Sequence, residues 1–189
     1  MLFYIVAGTL SIQGFWIYIT TAIVYQIISL SIIVSKYPSY IELACVRKQQ
    51  RTDTKKWDRH LIRILMVTTL LQYILAAVDL GRIHLSTLPL WTAPIGILFY
   101  ISGSALNQWA MIHNPHFERE VRIQTDRDHR VIAAAPYQYV RHPGYLGSVL
   151  GFVSYSLILG STLAIIGSFL CIAGMIARTY REDRDLHEE

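Results

Sequence analysis

Residue types that can do chemistry concentrate in two polar segments of this sequence. The first runs from Asn114 to Gly147, NPHFEREVRIQTDRDHRVIAAAPYQYVRHPGYLG, and is rich in histidines, aromatic residues and prolines. The second, RTYREDRDL, begins at Arg178 and places Glu182 four residues later, on the same helix face. This pair offers a cation to an anionic substrate and an anion to a cationic or hydroxyl-bearing ligand. Taken alone, it is better explained as a helix-end salt bridge, which contributes about 0.2–0.5 kcal/mol.

The end of the first segment predicts the start of a helix. Pro143 lacks an N–H group and suits the first helical turn, and His142, as the residue before a proline, is disfavoured in the helical region. The free N–H groups of a helix start bind anions, including carboxylates. Gly144 and Gly147 lie three residues apart on nearly the same face, so a ligand or a backbone can approach closely there.

The elements that position these segments are apolar. Hydrophobic residues make up 53% of the chain and charged residues 16%, which is too little charge for the surface of a soluble domain. The last apolar block has no charge in 33 residues and carries Gly160 and Ser161 near its middle, so it predicts a helical hairpin. We therefore predict an all-α membrane protein with about five transmembrane helices. The blocks are Ile12 to Val34, Leu61 to Leu80, Leu88 to Ile112 and Tyr145 to Ala177.

Basic residues predict the orientation of these helices. Of the 17 Lys and Arg residues, all but Arg82 fall in Lys36 to Arg63, Arg119 to Arg141, or the tail from Arg178. The positive-inside rule places these three segments in the cytoplasm, and alternating spans then place the Arg82 loop outside. We expect an integral membrane protein whose long polar loop faces the cytoplasm.

Several polar residues have plain interpretations. Lys36 to Arg63 is expected to orient the protein and contact anionic lipid, without any nucleic-acid partner. Asp79 is expected to be a capping or interfacial acid, and Asn107 and Gln108 are expected to bond between helices. The first ten residues are too short to span a bilayer, and an interfacial helix, a partial span or the remainder of a longer N-terminus all remain open.

A family resemblance joins the two polar segments. The sequence APYQYVRHPGYLG, followed after the hairpin by RTYREDRDL, resembles the isoprenylcysteine carboxyl methyltransferase family, whose pattern the related phospholipid N-methyltransferases share. That pattern is a (G)PY…RHPxYxG element, a helical hairpin, and an arginine followed by a Glu-Glu or Glu-Asp pair. The match covers roughly Gly103 to Leu186. Ala105 stands where phospholipid N-methyltransferases carry the second glycine of a G-x-G, Ala135 replaces the usual glycine before Pro136, and Asp183 replaces the second Glu of the Glu-Glu pair.

The resemblance implies S-adenosylmethionine as cofactor, bound on the cytoplasmic side between the long loop and the final helix. Arg178 takes the substrate-facing role, and Arg178 and Glu182 are the expected catalytic pair, with Glu182 holding amino or hydroxyl groups of the cofactor. The implied cofactor contacts are Gln124, His129, Arg130, Val131, Ile132, Tyr137, His142, Pro143, Gly144, Tyr145 and Glu182.

The expected function is that of an integral membrane methyltransferase acting on a lipophilic substrate that enters from the bilayer, with carboxyl O-methylation favoured. Residues 1–112 would hold the N-terminal transmembrane helices and the basic loop. Residues 113–189 would hold the cofactor-binding loop, the hairpin and the catalytic helix end.

Four other functions remain as alternatives: phospholipid or amine N-methylation, an NADPH-dependent sterol-reductase-like enzyme, a zinc site, and a non-catalytic membrane protein. The zinc site would use His113, His116, His129 and His142, but these histidines match no zinc motif, so we expect no metal.

Overall fold

Six α-helices form the part of the chain that the computed structural model describes, which is residues 2–38, 55–85, 88–114 and 135–188. A π-helical turn, Asp79–Ile83, extends the third helix. No strand occurs within these ranges. The helices are α1 (Leu2–Ala7), α2 (Gln13–Lys36), α3 (Lys56–Val78), α4 (Thr92–His113), α5 (Pro143–Leu159) and α6 (Thr162–Glu188).

Five of these helices are apolar enough to belong in a membrane. Helices α2, α3 with its π turn, α4 and α6 each have the length and hydropathy to cross a bilayer, and α5 is a shorter apolar helix of 17 residues. The last two form the predicted hairpin, and Gly160 between them adopts a left-handed φ of 76° that glycine tolerates without strain. The predicted fold class is confirmed.

Glycines let the helices approach one another closely, as is common in membrane bundles. A Cβ added at Gly103 on α4 would lie 2.6 Å from the carbonyl oxygen of Gly147, and one added at Gly147 would lie 2.5 Å from that of Gly103. Gly167 on α6 presses in the same way against Gln72 of α3. The close approach predicted at Gly147 is therefore made by a neighbouring backbone.

Buried polar side chains tie the apolar helices together. The Gln72 amide donates to the carbonyl of Phe152 at 2.9 Å and to the hydroxyl of Ser168 at 2.8 Å, so it joins α3 to both α5 and α6. On α4, Gln108 accepts a hydrogen bond from the Tyr25 hydroxyl of α2 at 3.0 Å. The interhelical role predicted for Gln108 is confirmed.

The end of the bundle that holds the hairpin turn is closed by α1 and Asp79. The Asp79 carboxylate is fully buried and accepts hydrogen bonds from the Ser161 hydroxyl at 2.6 Å and the Leu163 amide at 3.2 Å, so it caps the start of α6. Ala7 of α1 is buried in the core, and Arg82 Nε donates to the Val6 carbonyl at 2.5 Å. The first residues thus form a short helix packed on the end of α3, and the capping interpretation of Asp79 is confirmed.

Candidate functional site

Four helix ends meet at the other end of the bundle, which we call the polar end: the starts of α3 and α5 and the ends of α4 and α6. The start of α3 contacts the end of α6 through Asp58 and Arg178. The start of α5 contacts α6 through His142 and Asp183. Segments far apart in the sequence, two of them basic, are therefore neighbours in space.

The start of α5 has the form that its sequence predicts. Pro143 occupies the first helical turn, and His142 precedes it with φ −121° and ψ 66°, outside the helical region. The backbone amides of Tyr145 and Leu146 both donate to the His142 carbonyl at 3.1 Å. This geometry fixes the directions in which His142 and Tyr145 leave the backbone.

Helix α5 brings two side chains onto the acidic pair of α6. The Tyr145 hydroxyl donates to Glu182 Oε2 at 2.5 Å, and His142 Nε2 donates to Asp183 Oδ1 at 2.7 Å. The two rings stack in parallel, with centroids 5.3 Å apart and 5° between their planes. We call these four residues the His–Tyr–acid cluster.

Arg178 forms a buried ion pair that the sequence did not predict. Its Nε donates to Asp58 Oδ1 at 2.7 Å and its Nη2 to Asp58 Oδ2 at 3.1 Å, across 120 residues of sequence. Asp58 is fully buried and Arg178 is 6% exposed. The guanidinium carbon also lies 5.1 Å from the centroid of the Tyr145 ring, within cation–π range. Arg178 is thus held between Asp58 of α3 and the Tyr145 ring of α5.

The interpretation of Lys36 to Arg63 as a plain lipid-facing loop was wrong for its C-terminal end. Besides Asp58, Lys55 Nζ lies 2.9 Å from Asp185 Oδ2, and the Trp57 indole donates to the same oxygen at 2.8 Å. The sequence signal that was missed is a lone carboxylate in the first turn of a helix that otherwise begins with basic residues. Such an acid is favoured by the helix dipole, but its burial requires a cationic partner.

Tyr137 lies beside the end of α4, where its hydroxyl accepts a hydrogen bond from Asn114 Nδ2 at 3.1 Å. Pro143 and Gly144 are buried at the start of α5. The polar end therefore gathers Tyr137, His142, Pro143, Gly144, Tyr145, Arg178 and Glu182 from the predicted site. The predicted contacts Gln124, His129, Arg130, Val131 and Ile132 lie outside the described residues.

The chemical character of the polar end follows from these groups. Glu182 is about one-quarter exposed and uses Oε2 for Tyr145, so its carboxylate extends from the buried cluster to the open surface. Arg178 adds a cation with little access to water, and two rings add aromatic faces. This set suits a polar, partly cationic ligand beside an apolar one. Within the described ranges, no three His, Cys, Asp or Glu residues are grouped as metal ligands.

Comparison with known proteins matches residues 95–188 to the model of the Isoprenylcysteine carboxyl methyltransferase (ICMT) family. The matched segment runs from α4 to the end of α6 and includes the whole His–Tyr–acid cluster and Arg178, whereas Asp58 lies before it. No curated protein and no solved structure matches the chain. The match and the membrane-spanning helices together support a membrane methyltransferase.

Proposed function

We propose that this chain transfers a methyl group from S-adenosylmethionine to a lipophilic acceptor. The basis is that the chain belongs, through residues 95–188, to the isoprenylcysteine carboxyl methyltransferase family. The favoured reaction is O-methylation of a carboxylate on a substrate held in the bilayer. The distribution of basic residues supports a polar end at the cytoplasmic face under the positive-inside rule, and a water-soluble methyl donor is available there.

The observation that carries the proposal is the His–Tyr–acid cluster. Its two halves are the RHPxYxG element and the acidic pair, which lie 37 to 41 residues apart in sequence yet share two hydrogen bonds. Two motifs that merely fixed topology would not need to meet through polar side chains. Their contact builds one polar site next to the bilayer-spanning helices.

The residues of the cluster fit S-adenosylmethionine. When bound, this molecule supplies a methyl group on a positively charged sulfur. Glu182 presents carboxylate oxygens, which accept hydrogen bonds from amino or hydroxyl groups, and the Tyr145 ring offers a π face of the kind that binds cations. Gly144 is buried at the start of α5 and has no side chain, so a ligand can approach the backbone there. His129 to Ile132 and Gln124 remain proposed contacts from the family resemblance.

Arg178 fits the role of orienting a carboxylate acceptor. A carboxylate is ionised at neutral pH and needs no general base before it attacks a methyl group. The guanidinium binds carboxylates with directional hydrogen bonds and is strengthened by poor access to water. The enzyme would then act mainly by holding the acceptor in line and excluding water. The acceptor's apolar part would enter sideways between helices, while Glu182 and Tyr145 face the aqueous side.

Calorimetry in detergent tests the methyl-donor part of this proposal. S-adenosylmethionine should bind the purified protein, and Glu182→Gln and Tyr145→Phe should each weaken that binding. Tyr180→Phe is the matched control, since Tyr180 lies on α6 close to Glu182 but is 69% exposed. NADPH serves as the competing ligand. Binding of NADPH without binding of S-adenosylmethionine would refute the proposal.

Methyl transfer is tested separately with radiolabelled S-adenosylmethionine and lipid extracts. The labelled product should be lipophilic and should lose its label as methanol on mild alkaline hydrolysis, because an ester hydrolyses where an N-methyl group does not. A label that resists alkali would replace O-methylation by N-methylation. Donor binding with no labelled product across several extracts would contradict enzymatic activity.

A further inference from the structure

Asp58 stands out because it reaches the candidate site from outside the segment that the family model matches. It lies in the first turn of α3, and the match begins at residue 95. Its carboxylate nevertheless contacts Arg178 with both oxygens. A residue of the N-terminal half therefore determines the surroundings of the cation proposed to hold the substrate.

The geometry of the pair restricts Arg178 in direction as well as in charge. Two hydrogen bonds between a planar guanidinium and a planar carboxylate fix their mutual orientation, which a single contact to a lysine would not do. Asp58 takes the edge formed by Nε and Nη2. The Tyr145 ring, 5.1 Å from the guanidinium carbon, lies beside the same group.

A lipid-crossing helix would not keep a carboxylate fully buried without a compensating function, because an unpaired buried charge is strongly destabilising. Asp58 lies in the first turn of its helix, and its carboxylate contacts the guanidinium of Arg178 with both oxygens. Asp58 and Arg178 therefore depend on each other, and the pair joins α3 to the catalytic end of α6.

We infer that Asp58 is a positioning residue, which holds Arg178 in the orientation that binds the carboxylate of the methyl acceptor. This inference rests on the proposed function, because it concerns how the acceptor is held. Asp58 itself does not touch the donor or the acceptor. Its effect should appear in the kinetics of the acceptor and leave the binding of S-adenosylmethionine in place.

The test measures methyl transfer from labelled S-adenosylmethionine to N-acetyl-S-farnesyl-cysteine, a lipophilic carboxylate, by the full chain in detergent micelles. Asp58→Asn keeps the shape of the side chain and removes its charge. It should lower kcat/KM for the acceptor by about 10- to 100-fold, as a misplaced orienting group does. The Kd for S-adenosylmethionine should stay within about twofold of the wild-type value, as expected for an independent site.

A double-mutant cycle separates positioning from general stability. If Asp58 acts through Arg178, then Asp58→Asn should cause no further loss of kcat/KM in an Arg178→Gln background. Asp79→Asn is the matched control, because it alters a second fully buried carboxylate, which lies 21 residues from Asp58 at the opposite end of α3. It should lower the melting temperature and leave the acceptor KM unchanged. Additive losses in the cycle would overturn the inference.

A second variant covers the case in which Asp58→Asn does not fold. Asp58→Glu keeps the charge but moves it by one methylene, and its kcat/KM should fall below that of wild type with S-adenosylmethionine binding retained. Wild-type kcat/KM in either variant would refute the inference and leave the proposed function standing. Failure of the wild-type chain to methylate the farnesylcysteine probe or any lipid extract would instead refute the proposed function, and the inference with it.

Discussion

The ion pair between Asp58 and Arg178 should be strongly coupled, so that removing one partner destabilises the protein far more than replacing both. Its two charged groups have centres about 4 Å apart, so their attraction is about 4 kcal/mol at an effective dielectric constant of 20. Both groups are almost wholly buried, at 0% and 6% exposure. Removing one partner should leave the other uncompensated and cost about 3–5 kcal/mol. For a chain of this length, each kcal/mol shifts the melting temperature by about 2–4 °C.

We therefore expect Asp58→Leu and Arg178→Met each to lower the melting temperature by roughly 6–20 °C. The double variant removes both charges and fills the space with apolar groups, so it should melt within a few degrees of wild type. Melting is followed by tryptophan fluorescence of the four variants in one detergent. The control is Asp185→Asn, whose pair with Lys55 is about one-quarter exposed and should contribute no more than about 1 kcal/mol. A loss in the double variant equal to the sum of the two single losses would refute the coupled pair.

Three further predictions follow from the packing and the site. Gly147→Ala should lower the free energy of unfolding by about 1–3 kcal/mol, because its Cβ would lie 2.5 Å from the backbone oxygen of Gly103. Gly151→Ala is the control in the same melting assay and should be nearly neutral, since nothing lies within 4 Å of its Cβ. Gln72→Leu should cost about 0.6 kcal/mol and at most about 1.7 kcal/mol, the average and maximum for interhelical hydrogen bonds in membranes, because it removes the donor that links α3 to Phe152 and Ser168; a rise in melting temperature would contradict this. Tyr145→Phe should raise the Kd for S-adenosylmethionine by about tenfold in calorimetry, because Glu182 loses the charge-assisted hydrogen bond that positions it, and an unchanged Kd would show that the Tyr145 hydroxyl has no part in donor binding.

The features that the sequence predicted correctly depend on local patterns. The uncharged block around Gly160 has too many residues for one span, and only a turn there satisfies the thickness of a bilayer, so the hairpin follows from length alone. The start of α5 follows from the stereochemistry of His142 and Pro143. The meeting of Tyr145 with Glu182 was expected only through the family resemblance, because spacing within a single helix cannot relate two helices.

The features that were missed depend on three-dimensional packing. The position of Asp58 in the first turn of a helix is a local signal, but it cannot reveal burial, since the partner of Asp58 is 120 residues away. The same holds for Lys55 and Asp185, and for the packing of α1 on the end of α3. Charge counts predicted which helix ends share a side, but they cannot predict which charges lose their contact with water. Burial, which decides between a weak surface pair and a strong internal one, exists only in the fold.

The separation of Asp58 from Arg178 also sets an order of events during synthesis. At about 5–20 residues per second, the ribosome adds the 120 residues between them in about 6–24 s. Throughout that interval Arg178 is absent, so the carboxylate of Asp58 lacks the partner that it has in the folded protein. Burial of Asp58 becomes favourable only when the last helix arrives with Arg178. Completion of the bundle and assembly of the candidate catalytic site would then be the same step.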